Sequence, residues 1–404
     1  MRCGLLGGKL AHSYSPQIHK ELADYSYELF EKNPEELDAF MRSDSFDAIN
    51  VTIPYKKDVI PYCSKLSDRA KLLGAVNTIV RQPDGTLMGH NTDFFGFSSM
   101  VQRTGLDVAG KKVLVLGSGG ASATAVAVLR ELRADVVVIS RSGENNYNNL
   151  HHHKDTSVIV NATPVGMYPN NGTAPLDIDN FPQLEGVLDI VYNPCRTQLL
   201  LDAEEKGIIA ENGLWMLVAQ AKESAEWFLG RKIPDESIPQ IHKKLRNQME
   251  NIILIGMPGC GKSTIGAILA KKLNKTFIDA DREIEKKAGI TIPEIFQNAG
   301  EDEFRALESE VLKELGKRSG LVIATGGGCV TRNENFPYLH QNGTIVWLQR
   351  DITQLPTDGR PLSKAGKLQE MYTIRMPLYK LFADLAVDNS TTPEDTAEQI
   401  IKML

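Results

Sequence analysis

Two glycine-rich phosphate loops stand far apart in this chain, one beginning at Gly117 and one at Gly256. Each follows an apolar run and precedes a helical segment. A loop of this kind works only where a strand passes into a helix, because the free backbone N–H groups and the dipole of the helix N-terminus together hold an anion. Two such loops imply two α/β units. The 404 residues agree, at about 150 residues per domain, with two or three domains. Apolar, β-branched runs at 48–53, 112–116, 135–139, 157–160, 251–255, 321–324 and 344–348 alternate with helix-period segments. They read as buried parallel strands covered by helices on both faces. The polar, helical stretch 234–249 ends directly before the strand of the second loop, so the domain boundary is expected near Met249.

Charge narrows the partners. With 45 Lys plus Arg against 51 Asp plus Glu, the net charge is -6, and bulk attraction to nucleic acid or an anionic membrane is not expected. No apolar stretch approaches the roughly 18 residues of a membrane span. Met1 to Gly8 lacks the apolar core of a signal peptide. Five scattered cysteines, none at metal-ligand spacing, suit a reducing compartment, and a cytoplasmic location is expected. His151, His152 and His153 are adjacent, so their rings diverge, and they are expected in a solvated loop.

In the first loop, Gly117-Ser118-Gly119-Gly120-Ala121-Ser122, the first glycine permits the tight turn and the second admits a pyrophosphate, while Ser122 stands where a third glycine is common. Gly117, Gly119, Gly120 and Ala121 are the candidate contacts. Arg141 lies 24 positions after Gly117, at the end of the next strand. An acid there would suit the ribose diol of NAD, and an arginine suits the 2′-phosphate of NADP. The bland reading of Arg141 is a solvated residue after a strand.

Upstream stand Ser13-Tyr14-Ser15-Pro16, Asn50-Val51-Thr52-Ile53-Pro54-Tyr55-Lys56, Gly74-Ala75-Val76-Asn77-Thr78 and Gly89-His90-Asn91-Thr92-Asp93. Downstream come Asn161-Ala162-Thr163-Pro164, Asp189-Ile190-Val191-Tyr192-Asn193-Pro194 and Met216-Leu217-Val218-Ala219-Gln220-Ala221. In this order they closely resemble shikimate dehydrogenase over about residues 1–246. The resemblance implies a substrate domain (about 1–98 plus 223–249) and a Rossmann NADP domain (about 99–222). It implies Lys56 as proton donor and acceptor beside Asp93, with Ser13, Ser15, Thr52, Asn77 and Gln220 on a polyhydroxy acid. Two departures stand out. Ser140 precedes Arg141 where the family often has Asn, and no second basic residue follows until Lys154. The stretch 141–161 is also short for the family, as if a peripheral helix or strand were trimmed.

Gly256-Met257-Pro258-Gly259-Cys260-Gly261-Lys262-Ser263-Thr264 is a complete P-loop. Gly259 to Thr264 would meet ATP, with Lys262 on the β/γ oxygens and Ser263 on Mg²⁺. Cys260 fills a variable slot and reads as packing. The loop alone does not name an acceptor. Asp279-Ala280-Asp281, Phe304-Arg305, Gly326-Gly327-Gly328, Arg360-Pro361-Leu362 and Arg375-Met376-Pro377-Leu378-Tyr379 together resemble shikimate kinase over about 250–404. That implies a P-loop fold of the nucleoside-monophosphate-kinase type with a parallel sheet. Asp281 would bind the acceptor and take its proton, and Asp279 would sit near the metal. Arg305 and Arg375 would hold a carboxylate against Gly326, Gly327 and Gly328. Arg360 would close as a lid, and Pro393 would edge the adenine. The lid stretch 349–359 is several residues shorter than the commoner pattern.

The resulting expectation is a bifunctional enzyme using NADPH, ATP and Mg²⁺ on 3-dehydroshikimate and shikimate, as monomer or homodimer. One alternative is a dehydrogenase half acting on quinate or with NAD. Another is a degenerate metabolite sensor or repressor, which should have lost Lys56, Asp93, Lys262 or Asp281; all four are present.

Overall fold

The computed structural model describes residues 1–10, 13–355 and 365–404. The chain divides into two compact units. The first is Met1–Val165, Ala174–Tyr192 and Asp202–Lys244; the second is Gly166–Thr173, Asn193–Leu201 and Leu245–Leu404. The helix Ser237–Met249 spans that division, and Glu250 alone separates it from the strand Asn251–Ile255.

The first unit holds two sheets. One has six strands in the order Ser26–Glu31, Arg2–Gly7, Ala48–Val51, Thr78–Arg81, Leu87–His90, Lys65–Leu66. Here the expectation of parallel pairing is corrected in part. Ala48–Val51 runs parallel to Arg2–Gly7 but antiparallel to Thr78–Arg81, which forms a hairpin with Leu87–His90. Gly85, at φ 83, makes the turn of that hairpin. The second sheet is fully parallel, in the order Ile209–Asn212, Gly186–Asp189, Val158–Asn161, Lys112–Leu116, Asp135–Ile139. Val113, Leu114, Val115 and Leu116 are all buried, as a central strand covered on both faces requires. Between Asp135–Ile139 and Val158–Asn161 the described chain has a 3₁₀ turn, Leu150–His153, and no α-helix, which is where the chain looked short. That turn also corrects the histidine expectation. His151 and His152 are exposed, but His153 turns inward and pairs through Nε2 with Asn145 Oδ1 at 3.1 Å.

The second unit is a five-stranded parallel sheet, ordered Thr276–Asp279, Leu321–Ala324, Asn251–Ile255, Gly343–Gln349, Leu385–Asp388. The P-loop, Asp281 and the triple glycine follow three neighbouring strands and so emerge at one end of the sheet, where open α/β sheets bind ligands. The helix Ile292–Lys317 breaks at Gly300, whose φ of 84 and ψ of -178 are non-helical. No helix among the described residues is long and apolar enough to cross a membrane.

Candidate active sites

In the first unit Lys56 Nζ donates to Asp93 Oδ2 at 2.6 Å, with the side chains 30% and 16% exposed. Asp93 opens the helix Asp93–Thr104, where the helix dipole favours a carboxylate. Its other oxygen, Oδ1, accepts from Asn77 Nδ2 at 2.9 Å. Asn77 Oδ1 in turn accepts from the Thr92 amide at 2.8 Å. Gln220 Oε1 lies 3.4 Å from Thr92 Oγ1. Lys56, Asp93, Asn77 and Gln220 therefore form one connected cluster. Ser13 and Thr52 stand in loops, and Ser15 opens the helix Ser15–Leu22. Leu6 pairs with Val51 in parallel, so the loops that follow their strands leave the same end of the sheet. Ser13 Oγ accepts from the Ser15 amide at 3.2 Å. No hydrogen bond among the described residues ties Ser13 or Thr52 to the Lys56 pair.

At the dinucleotide loop, Gly117 has φ +110, and a Cβ there would meet Ala162 O and Thr163 Cγ2 at 3.1 Å. Only glycine fits that turn. Gly119 caps and Gly120 begins the helix Gly120–Glu131, and a Cβ at either would meet nothing within 4 Å. The backbone at this helix N-terminus is open to a pyrophosphate. Ala121 follows, and Ser122 is buried, donating to Gly117 O at 2.7 Å and locking the loop. Leu116 pairs with Ile139, so Arg141, exposed, emerges at the same sheet end as the loop. Arg141 has no ion pair among the described residues. These features fit a dinucleotide.

In the second unit a pocket of about 480 Å³ is lined by Gly259, Gly261, Lys262, Ser263 and Thr264 of the P-loop, by Asp279 and Asp281, and by Arg305, Gly326, Gly327, Gly328 and Arg375. Lys262 is folded onto its own loop, donating to Gly256 O at 2.8 Å and Met257 O at 3.0 Å. Ser263 Oγ donates to Asp279 Oδ2 at 2.7 Å. This hydroxyl and carboxylate are hard oxygen donors of the kind Mg²⁺ takes. Asp279 Oδ1 also accepts from the Asp281 amide at 3.1 Å, capping the helix Ala280–Ala288. Burial pushes the Asp281 carboxyl up, and Asp279 adds to the rise.

The acceptor side is built on buried charge. Arg305 Nη1 meets Glu308 Oε2 at 2.7 Å, and the two side chains are 8% and 1% exposed. Burial opposes the Arg305 charge, but Glu308 and Glu301 outweigh it and hold the guanidinium protonated. The same burial raises Glu308, against the pull of Arg305. A Cβ at Gly326 would come within 2.6 Å of Glu308 Oε1 and 2.9 Å of Asp281 Oδ1, and the Arg305 guanidinium fills the space a Cβ at Gly328 would need. Arg375 Nη1 donates to Gly327 O at 3.1 Å, and Tyr379 Oη donates to the same oxygen.

Two expected residues, Cys260 and Pro393, stand apart from this pocket. Cys260 is fully buried behind the loop, its amide donating to Met257 O at 3.2 Å. Pro393 is exposed at the start of the helix Pro393–Met403, outside the pocket. Arg360 lies outside the described residues. Sequence reading gave Glu308 and Tyr379 no role. The first is three residues after Arg305 and the second four after Arg375, which is same-face helical spacing. It also gave no role to Thr78, Thr92 and Ser224 in the first unit.

Two family models match the chain: the shikimate dehydrogenase substrate binding domain over residues 5–79 and shikimate kinase over residues 258–404. The shikimate dehydrogenase (NADP(+)) of Clostridium perfringens strain SM101 is 34% identical over 265 residues, covering 60% of this chain and 97% of the relative. The shikimate kinase of Nitrosomonas europaea is 44% identical over 148 residues, covering 34% of this chain and 70% of the relative. Among solved structures, shikimate 5-dehydrogenase from Thermus thermophilus in complex with NADP(H) and shikimate is 29% identical with a TM-score of 0.56, covering 60% of this chain and 99% of that one.

Proposed function

We propose, since the chain belongs to the shikimate dehydrogenase family through its first part and to the shikimate kinase family through its last, that this bifunctional shikimate-pathway enzyme reduces 3-dehydroshikimate with NADPH and then phosphorylates the shikimate from ATP. The observation that carries the reading is that one chain keeps both sets of reacting groups: the Lys56–Asp93 pair, and a P-loop pocket that also holds Asp281, Arg305 and Arg375.

NADPH supplies a hydride when bound, Arg141 and the Gly117 loop being the groups that would hold its phosphates. As the C3 carbonyl carbon takes the hydride, Lys56 gives a proton to the carbonyl oxygen, and it takes that proton back in the oxidative direction. Asp93 anchors the Lys56 ammonium and lies beside the neighbouring hydroxyl. Ser13 and Ser15 hold the substrate carboxylate, and Thr52, Asn77 and Gln220 hold its hydroxyls. In the second reaction the C3 oxygen becomes the nucleophile. Asp281 takes its proton as it attacks the γ-phosphorus of ATP, and the product is shikimate 3-phosphate. Arg305 and Arg375 hold the carboxylate, where a planar cation binds with two parallel hydrogen bonds. Lys262 must leave the carbonyls of Gly256 and Met257 to meet the phosphates. Mg²⁺ would sit at Ser263 and Asp279 and neutralise phosphate charge. Arg360 is assigned to the lid and Pro393 to the adenine edge. Both reactions belong in the cytoplasm, where free thiols stay reduced.

The test is one coupled assay with 3-dehydroshikimate, NADPH and ATP. Shikimate 3-phosphate should form only when both cofactors are present. NADPH oxidation without an ATP-dependent product would leave the kinase half of the reading without support.

A further inference from the structure

Behind the Lys56–Asp93 pair lies a cluster of neutral side chains that touches no solvent. Ser224 and Thr78 are each 0% exposed, as is Thr92. Ser224 Oγ lies 2.9 Å from Asn50 Nδ2, 2.8 Å from Thr78 Oγ1, 2.9 Å from Thr92 Oγ1 and 3.0 Å from Gln220 O. It stands one turn beyond Gln220 on the helix Leu214–Leu229, so a single hydroxyl ties that helix to the strands carrying Asn50 and Thr78 and to the start of the helix carrying Asp93.

Hydrogen-bond direction is fixed at the two amides of this cluster, Asn50 and Asn77. Tyr27 Oη donates to Asn50 Oδ1 at 2.8 Å, which turns Asn50 Nδ2 toward Ser224 and Thr78. Thr78 Oγ1 donates to Asn77 Oδ1 at 3.0 Å, beside the Thr92 amide that donates to the same oxygen. With two donors on Oδ1, the Asn77 amide has one allowed orientation, and its Nδ2 faces Asp93 Oδ1. The flipped amide would set one oxygen against another and leave buried donors unpaired, which costs more than the hydrogen bond is worth. Thr78 has one hydroxyl hydrogen. When that hydrogen goes to Asn77, the Thr78 oxygen accepts from Asn50 Nδ2 at 3.2 Å and can accept from Ser224 Oγ at 2.8 Å.

We propose that Ser224 is a positioning residue of the dehydrogenase site, acting through Thr78 and Thr92 on the Asn77 amide and so on the carboxylate that holds Lys56. The inference rests on the dehydrogenase reading above. Ser224 is fully buried and does not reach substrate; it keeps the pair in register. Loosening a reacting pair by about 1 Å costs on the order of 10- to 100-fold in turnover.

The experiment uses the full chain. In Ser224→Ala, kcat for shikimate oxidation with NADP⁺ should fall about 10- to 100-fold. The KM for NADP⁺ and the shikimate kinase activity of the same preparation should stay at wild-type values. A hydroxyl that served only packing would lower the melting temperature and the folded fraction while leaving kcat per folded chain intact. Thr78→Val removes a hydroxyl at equal shape and should reproduce the kcat loss, and Thr78→Ser should restore it; this pair decides the matter if Ser224→Ala does not fold. Wild-type kcat in both Ser224→Ala and Thr78→Val overturns the inference. A wild-type chain that turns over shikimate with neither NADP⁺ nor NAD⁺ overturns the functional reading, and the inference with it.

Discussion

Around Lys56 the dehydrogenase site has one ion pair, and the groups behind it are amides and hydroxyls: Asn77, Thr92, Thr78, Ser224 and Asn50. The kinase pocket instead sets Asp281 among two arginines and two further acids, with Glu308 almost fully buried against Arg305. The contrast follows from what each site must hold. On the proposed reading, the ketone and its hydroxyl neighbours at the Lys56 end are neutral and the substrate carboxylate falls to the hydroxyls of Ser13 and Ser15, so direction and fit are needed more than charge. A nucleoside triphosphate and a carboxylate are anions, so the kinase needs cations, and cations kept from water need acids beside them. Neutral hydrogen bonds are worth about 0.5–1.5 kcal/mol each, whereas breaking a buried ion pair costs about 3–5 kcal/mol. The same kind of substitution should therefore act differently in the two halves.

The largest effects test whether the halves are separate at all. Lys56→Ala should lower dehydrogenase turnover about 10²- to 10⁴-fold, the usual worth of a general acid–base group, and leave phosphorylation of added shikimate unchanged. Lys262→Ala should do the reverse. Loss of both activities in either folded variant would break the comparison at its root.

Next is Glu308. Glu308→Ala leaves the Arg305 guanidinium buried beside Glu301 alone, which lies 3.2 Å away and is more exposed. The expected cost is at the low end of the buried-pair range, about 3 kcal/mol, read from urea unfolding followed by kinase activity. Replacing both partners, Arg305→Met with Glu308→Leu, should recover most of the stability but not the activity. If Glu308→Ala unfolds at the wild-type urea concentration, the pair is not what holds this wall of the pocket.

How much of this could be read from the chain differs between the halves for the same reason. The kinase pocket is charged and glycine-walled, and charges and glycines stand out in a sequence. The structure places Asp281, Arg305, Gly326, Gly327, Gly328 and Arg375 around one pocket. Glu308 escaped because spacing shows that it shares a helix face with Arg305 but not that the face is buried. In the dehydrogenase half the motif residues Lys56, Asp93 and Asn77 were legible. Ser224 was not, because a serine within an apolar helix reads as a small packing residue. Strand direction was illegible where a buried run has unlike neighbours. Ala48–Val51 carries nothing that marks one partner as parallel and the other as antiparallel. The turn at Pro83-Asp84-Gly85 was the available sign of the hairpin that supplies the antiparallel partner.

A smaller effect sharpens the cofactor side of the dehydrogenase half. Arg141 is exposed, and a charge-assisted contact to a 2′-phosphate is worth about 1.5–3 kcal/mol. Arg141→Ala should lower kcat/KM for NADPH about 10- to 100-fold and change NADH little. An exposed contact is also screened, so wild-type preference for NADPH should shrink at high salt. Equal losses with NADPH and NADH would show that Arg141 acts through the adenine or the fold, not the phosphate.

The smallest effect concerns acid, and its sign differs between the two halves. Burial lowers His19 to about 3 and His90 to about 4, both from about 6.5. At these two histidines the folded first unit binds fewer protons than the unfolded chain below about pH 6.5. The contribution of these two histidines to its stability is complete above that pH and falls as pH drops toward 4. Glu223 works against this trend: burial raises it to about 7, so acidification relieves it. In the kinase half Glu308 is likewise raised by burial, and acid relieves rather than destabilises it. Urea unfolding at pH 7 and pH 5, with each activity reporting its own unit, should show the dehydrogenase losing more stability than the kinase. His90 is stacked on Trp227 at 3.8 Å between centroids and titrates only in the unfolded chain over this range. His90→Asn should therefore flatten the dehydrogenase loss, whereas Glu223→Gln, which removes the opposing group, should steepen it. A dehydrogenase half whose pH dependence ignores both substitutions would show that its acid sensitivity comes from elsewhere, and the contrast between a neutral site and a charged one would not extend to stability.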